Sequence, residues 1–117
     1  MPAILVWGKD FWLEQDPAVK TPYLAVVGND TGNTSISWSS VSEMKALAAR
    51  HGVPELMWPV YEGCEAEADI PLDEACTRSK ALHEKLEAIW TDDLANDHWT
   101  NFVMGRLRDG YSFFIMP

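Results

Sequence analysis

From Leu72 to Thr91 the residues Ala75, Ser79, Leu82, Leu86, Ile89 and Trp90 recur at three- and four-residue intervals, with the charged side chains on the other side. That period fits the 3.6-residue turn of an α-helix and no strand, so the segment predicts an amphipathic helix that must lay its stripe on another surface. The rest of the 117-residue chain has to supply that surface, and its 47% apolar content suffices for one core. A single domain over residues 1–117 is therefore expected. Six Trp, four Phe and three Tyr exclude a disordered chain.

Strand signals come before and after this helix. Ala3 to Trp7 is a short β-favouring run that stops at Gly8, and residues 8–21 read as a connector with an Asp16-Pro17 turn, in which Phe11, Trp12 and Leu13 fold back onto the core. Tyr23 to Val27 and Thr34 to Trp38 read as two further strands. The segment Gly28-Asn29-Asp30-Thr31-Gly32-Asn33 between them tolerates positive φ, which predicts an antiparallel hairpin.

Ser40-Val41-Ser42-Glu43 matches a capping box, so a helix is expected over 41–51 with Gly52 just past its end. Pro54 and Pro59 limit residues 53–61 to a short edge strand. Asp97 reads as the N-cap of a helix over 97–109 that stops at Gly110, followed by a last strand from Tyr111 to Met116. The predicted class is α+β: a small antiparallel or mixed sheet of about four strands with about three helices packed on one face.

The chemistry that the sequence lacks narrows its function. No apolar stretch approaches the roughly 20 residues that span a bilayer, and no basic, apolar and small-residue succession marks a secretory signal, so a cytoplasmic location is expected. Two cysteines, Cys64 and Cys76, do not make a disulfide framework. Cys76 and His83 stand seven residues apart on one helix, roughly 10 Å at 1.5 Å per residue, too far to share an ion, and no metal or other cofactor is expected. Cys64 is flanked by Glu62, Glu65 and Glu67, a field that weakens a thiolate nucleophile. No serine sits in a Gly-x-Ser-x-Gly elbow, and the one loop with two close glycines joins strands rather than opening a phosphate-binding helix. That loop also lacks the alternating acids and terminal Glu of a calcium loop.

What remains is charge. Eighteen acids against nine bases give a net −9, which disfavours nucleic acid and anionic membranes as partners. Residues 1–60 carry six acids and four bases, and residues 61–117 carry twelve and five. Glu62, Glu65, Glu67, Asp69, Asp73 and Glu74 place six carboxylates in thirteen residues without a base. Asp73 and Glu74 suit a helix N-terminus, but the first four repel one another with no structural return. They are the candidate partner-binding surface, attracting a basic protein. Trp12 and Trp58, in irregular segments, are the candidate interface aromatics, whereas Trp7, Trp38, Trp90 and Trp99 fall in or beside regular elements.

In size, acidity and lack of a catalytic signature the chain is similar to small bacterial immunity proteins that neutralise nuclease-type toxins. This is a likeness of composition, and proteins that mimic nucleic-acid charge to block restriction or CRISPR systems share it. The resemblance implies a non-enzymatic inhibitor whose partner is a basic protein such as a cognate toxin. The alternative is a small enzyme or ligand-binding accessory protein with a pocket near Asp92, Asp93, Asp97 and His98, where three carboxylates and an imidazole cluster between two helices.

Overall fold

A computed structural model describes residues 2–15, 24–61 and 72–117; the side chains of 12–15, 24–27 and 72 are outside that description. The elements are β1 (Pro2–Gly8), β2 (Asp10–Gln15), β3 (Leu24–Asn29), β4 (Gly32–Ser37), α1 (Trp38–Arg50), a 3₁₀ turn (Glu55–Met57), α2 (Leu72–Ile89), a short α3 (Asp92–Asn96), α4 (His98–Arg108) and β5 (Ser112–Met116). The α+β class is as expected. Three strands form an antiparallel sheet in the order β4-β1-β5, and β2 pairs with β3 in a second, two-stranded sheet.

The pairing differs from the hairpin that the glycines of 28–33 suggested. β4 pairs with β1 from Pro2↔Ser37 to Trp7↔Gly32, and β3 pairs with β2 from Asp10↔Asn29 to Gln15↔Leu24. Every pair in both sets adds to the same residue number, so the four strands are one long antiparallel ribbon interrupted at Gly8-Lys9 and Asp30-Thr31. The strand at 10–15 was missed because Phe11-Trp12-Leu13 is a continuous apolar run flanked by charge, with no alternation to mark it. The Asp16-Pro17 turn signal lies outside the described residues.

The glycines themselves explain the misreading. Only Asp30 has a positive φ in this segment (53°), and neither Gly28 nor Gly32 does. They serve close approach instead: a Cβ on Gly28 would stand 2.2 Å from the Asp10 carbonyl oxygen, and one on Gly32 would stand 2.4 Å from the Trp7 indole. The indole lies across its glycine partner, a pairing that protects an otherwise bare strand backbone.

Alternation along the sheet gives the main core. Ala3 and Leu5 of β1, Ile36 of β4, and Phe113 and Ile115 of β5 are buried with Val41, Met44 and Ala48 of α1, Leu82 and Leu86 of α2, and Val103, Met104 and Leu107 of α4. A smaller cluster joins Phe114 to Ala75 of α2, with Val6, Phe11, Tyr61 and Met116 packed against it.

The outer edge of β5 is sealed. Ser79 of α2, 1% exposed, accepts from the Phe113 amide and donates to the Phe113 carbonyl through one hydroxyl, both at 3.1 Å. The Ile115 amide donates to Pro59 O (2.9 Å) and the Tyr61 amide to Ile115 O (2.8 Å), so the anticipated edge strand at 53–61 shrinks to one parallel bridge, Val60↔Ile115.

Helix ends follow the sequence in most places. Asp97 caps α4, accepting from the Thr100 amide (3.0 Å) and hydroxyl (2.6 Å), and Gly110 takes φ +87° beyond its end. Gly52 does the same after α1 (φ +93°). α1 begins one turn earlier than the capping box implied, because Ser37 rather than Ser40 supplies the cap: its hydroxyl accepts from the Ser40 amide at 3.1 Å. α2 ends at Ile89, and Asp92 and Asp93, which the sequence placed between two helices, open the short α3.

Candidate interaction surface

Glu62, Glu65, Glu67 and Asp69, and Cys64 among them, lie outside the described residues. Asp73 and Glu74 are exposed in the first turn of α2, where carboxylates offset the unpaired amides of a helix start. Glu74 is ion-paired one turn along with Arg78. Glu43, Glu55, Glu84 and Asp92 also point to solvent.

Three further basic side chains are engaged within the protein. Arg108 grips Glu87 with two hydrogen bonds, Nε to Oε1 (2.6 Å) and Nη2 to Oε2 (3.3 Å), and its guanidinium lies 5.2 Å from the Trp90 ring centre. The hydrogen bond from Arg108 holds the Glu87 carboxyl below its usual range, with a further contribution from His83, and the same bond raises Arg108. The Arg106 guanidinium lies against both the Trp7 ring (4.7 Å) and the Phe102 ring (4.8 Å). Lys9 covers the Tyr111 ring at 4.0 Å and donates to the Asp109 carbonyl. The Tyr111 hydroxyl in turn donates to Asp30 Oδ2 (2.8 Å), which raises the phenol above its ordinary range, with desolvation a smaller cause.

The aromatic candidates are rearranged. Trp58 is 1% exposed, edge-on to Phe113 with ring centres 6.2 Å apart, so it is a core residue and not a surface anchor. The 3₁₀ turn before it accounts for this: it turns Leu56 out, to 84% exposure, and Trp58 in. Trp12 lies in β2 with Val27 as its cross-strand partner. Sequence reading missed a half-buried stripe formed by Trp7 of β1 and Trp99 and Phe102 of α4. Phe102 meets Trp7 and Trp99 edge-on at 5.5 and 5.6 Å. The spacing Trp99, Phe102, Arg106 on one helix was its only sequence signal.

The alternative site is dispersed. Asp97 is occupied as a cap, Asp92 and Asp93 are exposed, and Asp93 is 3.9 Å from His51. His98 is exposed and edge-on to Trp99. Among the described residues, no three His, Cys, Asp or Glu side chains gather as metal ligands would, and no helix is long and apolar enough to cross a membrane.

Two concavities among the described residues are not lined by Asp92, Asp93, Asp97 or His98. One, about 240 Å³, lies between Phe11 and Thr31 of the ribbon and Phe114 and Met116 of β5. The other, about 290 Å³, lies between α2 and the end of α4, lined by Lys80, His83, Arg108, Tyr111 and Ser112 among others. The chain matches no protein-family model, no curated protein and no solved structure.

Proposed function

We propose that this chain is an acidic partner-binding protein, an inhibitor or immunity protein whose carboxylates occupy a basic active site or nucleic-acid groove on another protein, with a nuclease-type toxin as the fitting class of target. The observation that carries this reading is the excess of acidic over basic side chains. Eighteen acids face nine bases, and Lys9, Arg78, Arg106 and Arg108 are each engaged by the protein's own carbonyl, carboxylate or aromatic groups. A protein approaching this surface meets an excess of carboxylates, which speeds encounter with a basic partner and rejects acidic ones.

The test is recovery of the tagged protein from its native cells at low salt and again at about 0.5 M salt, where attraction between exposed charges is largely screened. One stoichiometric basic partner, held at low salt and weakened at high salt, is the expected result. A partner that is acidic, or whose retention ignores salt, would overturn the reading.

A further inference from the structure

In a chain of net charge −9, two cations and an imidazole meet around one hollow that, among the described residues, no carboxylate lines. Lys80 and His83 stand three residues apart on α2, hence on one side of the helix. Arg108 comes from the end of α4, and Tyr111 and Ser112 come from the turn into β5. We propose that this hollow is a binding site for a small oxyanion, the phosphate or carboxylate group of a low-molecular-weight ligand. The proposal does not depend on the acidic surface.

The donor set suits that chemistry. An ammonium, a guanidinium, an imidazole and the Ser112 hydroxyl offer hydrogen bonds and positive charge to oxygens that have only lone pairs to give. Two of these donors are held in place from behind. Glu87, which is not part of the lining, takes two of the five Arg108 N–H donors and meets His83 Nε2 at 3.3 Å, so three guanidinium donors and the second imidazole nitrogen remain. Tyr111 gives its one hydroxyl proton to Asp30, so it contributes a wall of the hollow and not a donor.

The carbonyl end of α4 would ordinarily repel an anion. Here those carbonyls are engaged: Asp109 N donates to Gly105 O (3.1 Å), Tyr111 N to Arg106 O (3.0 Å) and Gly110 N to Leu107 O (3.0 Å). At about 290 Å³ the hollow is close to the lower end of ligand-pocket sizes, enough for a phosphate or carboxylate with a short attached group.

The experiment is an amide-resolved NMR titration of the full chain with inorganic phosphate and, separately, with acetate, at ionic strength held constant with chloride. Saturable shifts over the millimolar range, confined to residues 79–83 and 107–112, are expected with one or both anions, and the better anion assigns the ligand class. Lys80→Ala should weaken that binding by roughly tenfold or more, the loss of one charge-assisted contact. Lys80 is exposed, so its removal leaves the fold intact. Lys85→Ala, which removes the same charge from the same helix outside the hollow, should leave binding nearly unchanged. Equal weakening by both variants, or shifts that neither saturate nor exceed those with chloride alone, would overturn the proposal.

Discussion

The two halves of the ribbon share one register and differ in what pairs with them. The inner half, β1 with β4, is paired again along β5 and roofed by three helices, so Ala3, Leu5 and Ile36 lose nearly all contact with water. The outer half, β2 with β3, pairs only with itself among the described residues, and the Phe11 ring on Phe114, 5.3 Å between centres, ties it to the smaller cluster. A two-stranded ribbon is marginal in water, whereas a three-stranded sheet with a covered face is not. Continuous hydrogen bonding therefore does not imply uniform stability. Burial sets the stability, and the main core among the described residues lies against the inner half.

The largest expected effect falls in the inner half. Leu5→Ala, at a fully buried position, should destabilise the whole protein by about 2–5 kcal/mol in denaturant unfolding. A much smaller loss would mean that the inner half is not the centre of the core. Ser79→Ala leaves the Phe113 amide and carbonyl without their shared partner in a buried setting, a cost of about 1–3 kcal/mol by the same measurement. Ser79→Thr keeps the hydroxyl and should recover part of this.

Gly28→Ala sharpens the contrast by acting on the outer half. Its Cβ would collide with the Asp10 carbonyl, a strain of about 1–3 kcal/mol that the outer half can relieve by opening. Hydrogen exchange should accelerate across β2 and β3 and remain slow at Leu5 and Ile115. Acceleration throughout would show that the halves open together.

The smallest effects concern the junction at Tyr111 and the clamp at Glu87. The Tyr111 phenol is raised in the folded protein, so its contribution is fully present below the unfolded value near pH 10 and fades as pH rises through the folded value. Tyr111→Phe should abolish that alkaline dependence in exchange of the outer amides. Glu87 is lowered, so its contribution is present above the ordinary carboxylate range and fades as pH falls through its folded value. Glu87→Gln should flatten the acid limb of the stability profile slightly, both partners being exposed.

Periodicity and caps were readable because they are local. The stripe of α2, the Asp97 cap and the glycines at 52 and 110 each follow from a few neighbouring residues. Strand pairing is not local. Gly28 and Gly32 can mark either a turn or a close approach, and only the Asp10 and Trp7 atoms opposite them decide which. Trp58 looked like a surface anchor because its fate depends on Phe113, 55 positions away. The hollow at Lys80 was illegible for the same reason: its far wall, Arg108 to Ser112, arrives through the packing of α2 against α4 and β5. The acid run is conspicuous in the sequence because charge density needs no fold to be counted.

The most direct test of the acidic-surface reading is the affinity of the recovered basic partner for a variant with Glu62, Glu65, Glu67 and Asp69 all changed to Lys, measured beside the unaltered protein at low salt. An intact fold by circular dichroism with binding abolished is the predicted result. Unchanged affinity in a folded variant would contradict it.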